Sequence, residues 1–255
     1  MTEIKAVITD YIGTLANARN SSLETSRMTL YRTLTETGFE TSPTEFLAAY
    51  NKAHEKYHAV RYNKLKEVTN AVWVSKALNT LGYRTSREDS RIKAALNAFF
   101  QDYVGSLELR HCAKKLLGRI AENCKLGLIS NFTYAPVIYS SLRKLGIYRF
   151  FNVVVVSEEA GWRKPHKCIF QAALQRLHVM AEETIYIGDS PSEDIEGAKT
   201  VGMKAVFVPS QFYSIEDLRG ITQQPDIIAQ DLREIYKGFN RILTSTEAQN
   251  PNMRA

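Results

Sequence analysis

The chain has 255 residues, 44% apolar and 24% charged, with a formal net charge of +6. That apolar share can bury a substantial core, and no stretch reaches the roughly 18 consecutive apolar residues that a membrane span needs. The N-terminal MTEIKAVITD mixes acids with a lysine and runs into a strand pattern, so neither a membrane span nor a signal peptide is expected, and the cytoplasm is the expected location.

In chain order, IKAVITD (4–10) is short, apolar and β-branched, the pattern of a buried strand. Residues 20–104 then carry helical spacing almost throughout, in SLETSRMTLYRTLTETG, SPTEFLAAYNKAHEKYHAVRYNKL, TNAVWVSKALNTLG and SREDSRIKAALNAFFQDYV. Several of these begin at Ser, Thr or Ser-Pro caps, and the first and third end at glycine. After them the strand-like runs CKLGLIS (124–130), FNVVVVS (151–157), ETIYIGD (183–189) and MKAVFVP (203–209) alternate with helical patterns at 109–122, 134–146, 165–178 and 192–201. The stretch 225–243 adds a short strand and a closing helix, and the polar residues beyond it read as a frayed tail.

Strands alternating with helices imply the α/β class, a Rossmann-like parallel sheet with helices on both faces. The helical block reads as an inserted all-helical cap over the carboxyl ends of the strands, where ligands bind in open α/β sheets. The expected division is a core of 1–18 and 105–245, a cap of 19–104 and a disordered tail of 246–255. The basic residues are interleaved with acids. The densest run, RHCAKKLLGR (110–119), fits an amphipathic helix with a solvated face, so nucleic acid and membrane are not expected partners. Cys112, Cys124 and Cys168 have no CxxC or histidine spacing that would hold zinc and read as reduced thiols.

Three strands end in polar residues that the topology can bring together: Asp10, Ser130-Asn131 and Asp189. Lys164 precedes a helical pattern that opens at Pro165. A carboxylate nucleophile, a hydroxyl donor, a lysine and further carboxylates for a hard cation are the parts that hold and attack a phosphoryl group. Taken singly, Ser130 also fits a strand end, Thr14 a turn, Lys164 a surface, and Asp189 and Asp194 the cap of a helix started by Ser190 or Ser192.

In four ordered segments, VITDYIGTL, LGLISN, Lys164-Pro165 and YIGDSPSEDIEGAKTVGM, the chain resembles the haloacid dehalogenase superfamily of hydrolases. The resemblance spans the α/β part, and the helical insertion is similar to the family's C1-type cap. It implies Asp10 as a nucleophile that forms an aspartyl intermediate and also binds Mg²⁺, and Ile12 as a metal ligand through its backbone carbonyl. Gly13 and Thr14 then shape the turn and offer N–H groups and a hydroxyl to the substrate anion. Ser130 and the Asn131 N–H bind a phosphoryl oxygen, Lys164 neutralises charge between Asp10 and the substrate, and Asp189 completes the metal shell. Asp194 is then either a ligand or a partner behind the ligands.

One position departs from the family. Its phosphatases carry a second aspartate two residues after the nucleophile, which protonates the leaving oxygen and then activates water; here that residue is Ile12. The resemblance therefore leaves three readings open. The first is a Mg²⁺-dependent hydrolase of small phosphorylated metabolites, slowed by about 10²–10⁴ for want of the acid unless His166, His54 or His58 replaces it. The second is haloacid dehalogenase or phosphonatase chemistry, the latter needing a Schiff-base lysine such as Lys52 or Lys56. The third is an impaired protein that binds a phosphorylated ligand or a partner. Tyr57, His58, Arg61 and Trp73 are the candidates for substrate selection.

Overall fold

The computed structural model describes residues 3–19 and 22–244; the tail expected at 246–255 lies outside the described residues. A six-stranded, all-parallel sheet runs in the order β5-β4-β1-β6-β7-β8. The strands are β1 (Ala6–Thr9), β4 (Lys125–Ser130), β5 (Val153–Val156), β6 (Thr184–Gly188), β7 (Lys204–Phe207) and β8 (Ile227–Ile228). The expected class is the one observed. β1 sits between β4 and β6, and the connections run outward from it in both directions, so the crevice at its carboxyl end is the switch point of the sheet.

Why β1 is central follows from its residues. AVIT is buried along its whole length; Val7 faces one apolar cluster, whereas Ala6 and Ile8 face another. The first cluster is closed by α5 (Ala113–Asn123), α6 (Ala135–Lys144) and α10 (Leu232–Thr244), and the second by α8 (Lys167–Leu177) and α9 (Gly197–Thr200). A strand covered on both faces needs an unbroken apolar run, and this chain supplies one. The helix expected from 109 starts only at Ala113, because Cys112 adopts the left-handed conformation (φ 65°) and residues up to Leu109 are extended.

Between β1 and β4 stand α1 (Leu23–Glu36), α2 (Pro43–Lys64), α3 (Asn70–Thr80) and α4 (Ser90–Ser106). Three of their starts are written in their caps: Ser22 accepts from Thr25 N–H, Ser42 and Glu45 form a reciprocal capping box around Pro43, and Asp89 accepts from Arg91 N–H. They share a third apolar cluster with Tyr134 and Val137 of the α6 region, which seats them on the sheet domain.

The sequence reading missed a two-stranded antiparallel ribbon, β2 (Ala16–Ala18) with β3 (Leu107–Leu109), through which the chain enters and leaves the four helices. It also missed α7 (Ser157–Ala160) and the π-helix at Pro191–Glu196 inside the helix expected at 192–201.

Candidate functional site

At the carboxyl edge of the sheet, β1, β4 and β6 deliver Asp10, Ser130 and Asp189 side by side, as the register of β1 against both neighbours requires. Lys164 reaches them from the segment before α8. Its side chain is almost fully buried, and its ammonium donates to Asp10 Oδ1 (2.7 Å), Asp194 Oδ1 (2.6 Å), the Tyr186 hydroxyl (3.1 Å) and the Ile129 carbonyl (3.3 Å). Burial opposes the charge on Lys164, but Asp10 and Asp194 outweigh it and hold the ammonium well above the usual lysine range.

Asp194 is fully engaged. Tyr186 also donates to its Oδ1 (2.9 Å), while Oδ2 accepts the backbone N–H groups of Asp189 (3.1 Å) and Ser190 (3.0 Å). The π-turn makes this possible: Ser190, not Ser192, caps it by accepting from Glu193 N–H, and the wide turn swings Asp194 back over the end of β6. Only glycine at 188 allows that approach, since a Cβ there would lie 2.5 Å from the Asp194 carboxyl.

Asp10 is the opposite case. Its Oδ2 is buried and has no hydrogen-bond partner. Burial, with Asp194 and Asp189 nearby, raises its carboxyl to about 8 despite Lys164. Asp189 is raised as well, by burial and then by Asp194. One carboxylate oxygen from each of Asp10, Asp189 and Asp194 lies within 4.8 Å of the others, and a single ammonium balances three carboxyls. An excess of buried negative charge with an unpartnered oxygen suits a hard divalent cation. Because both oxygens of Asp194 are taken, the donors left for a cation are on Asp10 and Asp189.

The loop that follows Asp10 is tightly built. Gly13 has φ 104°, and a Cβ on it would lie 2.3 Å from Asp189 Oδ2, so this turn excludes any side chain. Gly13 N–H donates to the Ala16 carbonyl, and Arg110 Nη1 donates to the Gly13 carbonyl (2.6 Å) and the Thr14 carbonyl (3.2 Å). The Thr14 hydroxyl, expected to face the substrate, instead donates to Asp189 Oδ1 (2.8 Å) and is fully buried. Ile12 is half-buried and packs against the first apolar cluster. Ser130 is buried at the end of β4. The Asn131 side chain accepts Lys164 N–H (2.8 Å) and donates to the Lys164 carbonyl (3.1 Å), gripping the peptide that carries the lysine.

The other candidates fall elsewhere. His166 caps α8 by accepting Cys168 N–H at Nδ1 and stacks on Trp162 at 3.9 Å. His54 lies between Tyr50 and Trp73, and His58 lies against Tyr62 with the rings tilted by 32°. Lys52 and Lys56 are exposed on α2. Tyr57 is half-buried in the helical cluster, with Trp73 buried and Arg61 over its ring. Sequence reasoning missed Tyr186, Arg110, Arg163, Glu67 and Glu193. Tyr186 reads as one more core aromatic in TIYIG, and the others have partners distant in sequence. The three cysteines are free thiols, each half-buried. Among the described residues no helix is long and apolar enough to cross a membrane.

The family described as haloacid dehalogenase-like hydrolase matches residues 13–208, more than half of the chain. The chain belongs to that family. Its relatives include a glyceraldehyde 3-phosphate phosphatase of Methanocaldococcus jannaschii, 38% identical over 108 residues that make up 42% of this chain and 47% of that protein. A ribulose-1,5-bisphosphate 5-phosphatase of Halopiger xanaduensis is 32% identical over 117 residues, 45% of this chain and 48% of the other. The chain thus spans less than half the length of the curated relatives it matches. A 2-haloacid dehalogenase structure from Pseudomonas syringae pv. Tomato has a TM-score of 0.67 at 21% identity, covering 94% of this chain and 99% of that one. A phosphatase structure of the same family from Thermococcus onnurineus has a TM-score of 0.54 at 20% identity, covering 96% and 100%. At such identities the likeness is one of fold.

Proposed function

We propose that this haloacid dehalogenase-like hydrolase acts on a small phosphorylated metabolite, with Mg²⁺ and an aspartyl intermediate on Asp10. The observation that carries this reading is the pairing of Lys164 with a half-satisfied Asp10: one oxygen bonded to the ammonium, the other buried and without a partner beside Asp189. Asp10 and Asp189 would hold the metal, together with the Ile12 carbonyl, and Asp194 would stand behind them. When bound, Mg²⁺ would neutralise charge on the phosphoryl oxygens. The phosphatases among the relatives support the substrate class. The helical unit α1–α4 would serve as a C1-type cap.

In this reading an Asp10 oxygen attacks phosphorus; the new O–P bond forms as the ester P–O bond breaks, and water then releases phosphate and restores the carboxylate. Lys164 holds positive charge at the reacting centre, and Ser130 with the Asn131 N–H binds a phosphoryl oxygen. Gly13, with no side chain, lets the turn pass close to Asp189. Thr14 holds Asp189 rather than the substrate. Ile12 gives no proton to the leaving oxygen. None of His54, His58 and His166 has a structural observation that puts it in this role, so turnover is slow, or the leaving group needs little protonation.

A phosphate-release panel with Mg²⁺, run on this protein and on Ile12→Asp, tests the reading. Slow release that rises by about 10²–10⁴ in the variant is expected. Chloride release from chloroacetate without Mg²⁺ would replace it with dehalogenation. Mg²⁺-dependent binding of orthovanadate with no release in either protein would replace it with a ligand-binding role.

A further inference from the structure

The segment that follows α2 is sewn to the loop that carries Lys164. Arg163 N–H donates to the Leu65 carbonyl (3.0 Å), Glu67 N–H donates to the Gly161 carbonyl (3.1 Å), and Lys66 bridges Trp162 in antiparallel fashion. The Glu67 side chain is completely buried in this seam. Its Oε1 accepts from Arg61 Nε of α2 (2.6 Å), and its Oε2 accepts from the Ser157 hydroxyl (2.6 Å) and lies 3.6 Å from Arg163 Nη1. Ser157 in turn accepts Phe132 N–H (2.9 Å).

From Arg163 the chain of contacts continues inward. Arg163 Nη2 donates to Glu193 Oε1 (3.0 Å), and Glu193 Oε2 accepts from Asn131 Nδ2 (2.9 Å), the same amide that grips the Lys164 peptide. Arg163 is 4% exposed, neither its Nε nor its Nη1 has a hydrogen-bond partner, and the Tyr62 ring covers it at 4.5 Å, so the Nη2 bond to Glu193 and the ion pair of Nη1 with Glu67 are what hold it. A buried ionic chain of this kind adds little net stability over apolar packing of the same volume. What it does fix is geometry, and the geometry it fixes is that of Asn131 and Lys164.

We propose that Glu67, Arg163 and Glu193 are positioning residues, through which the seating of the helical unit sets where Asn131 and Lys164 stand against Asp10. The consequence for ligand affinity rests on the phosphohydrolase reading; the ordering of the two core loops does not.

Glu67→Gln keeps the shape and an acceptor for Val68 N–H, and its NH₂ can donate to Ser157 Oγ as that hydroxyl turns to the Phe132 carbonyl, but it gives Arg61 and Arg163 no charge. In the full chain, amide hydrogen exchange in 130–134 and 161–168 is expected to quicken about tenfold in Glu67→Gln. Orthovanadate binding with Mg²⁺ is expected to weaken by about ten- to a hundredfold, the usual cost of losing a partner behind a site. Arg163→Met should do the same, and the double variant should be no worse than either single one. Lys66→Ala, in the same seam but outside the network, should leave both quantities unchanged. The proposal is overturned if exchange quickens only at 65–69, or if the two single effects add. Should the wild-type protein bind no orthovanadate with Mg²⁺, the phosphohydrolase reading fails while the exchange measurements still decide the network. Glu67→Gln alone suffices if Arg163→Met does not fold.

Discussion

The loops after β1 and β6 each bring a buried aspartate to the Lys164 ammonium, yet the two carboxyls live differently. Asp194 receives Lys164, Tyr186 and two backbone N–H groups, so both oxygens are satisfied. Asp10 receives Lys164 on one oxygen and nothing on the other, and its carboxyl sits at about 8. The first is saturated by partners that hold the site together, and in the proposed function the second is the one that reacts or binds. Two residues of the same type, on the same lysine, separate stability from chemistry.

Asparagine at each position breaks that comparison most directly. In Asp10→Asn the amide oxygen can face Lys164 while the NH₂ group occupies the side with no partner, so folding is little affected, whereas the proposed nucleophile is gone. Phosphate release is expected to fall to background, a loss on the order of 10⁴ or more. A variant that still turns over would place the nucleophile elsewhere.

In Asp194→Asn either orientation sets NH₂ donors against the ammonium or against the two backbone N–H groups. That substitution is expected to cost about 3–5 kcal/mol by urea denaturation, the usual penalty for breaking a buried pair from one side. A loss under about 1 kcal/mol would show that Asp194 is not the structural partner.

The smallest effect sharpens the contrast. Mg²⁺ at about a hundred times its dissociation constant should stabilise the wild-type protein by about 2.7 kcal/mol, read as a rise in the thermal midpoint. The gain should shrink in Asp10→Asn, which removes an anionic donor. Equal stabilisation of both would take Asp10 out of the donor set.

The order of elements was legible in the sequence because Val- and Ile-rich runs such as AVIT and VVVV alternate with amphipathic helices. The convergence of Asp10, Ser130 and Asp189 was legible because a parallel sheet delivers strand ends to one edge. What each group does there was not. Thr14 looks like a substrate donor until Asp189 is seen to take its hydrogen, and the Asp194 carboxylate needs the π-turn before its engagement becomes visible. Glu67 and Arg163 are ordinary surface residues in a linear reading, since their burial depends on contacts between segments far apart in sequence. The β2–β3 ribbon escaped because its strands of three residues each have no periodicity to read.

That ribbon has a mechanical meaning. Ala16, where it begins, accepts the Gly13 N–H, and Arg110, just past its other strand, clasps the Gly13 and Thr14 carbonyls while Nη2 donates to the Pro209 carbonyl. The connection between the four helices and the sheet therefore runs through the same few residues of backbone that follow Asp10. In the proposed function, any movement of the helical unit would be felt at the Asp10 carboxylate.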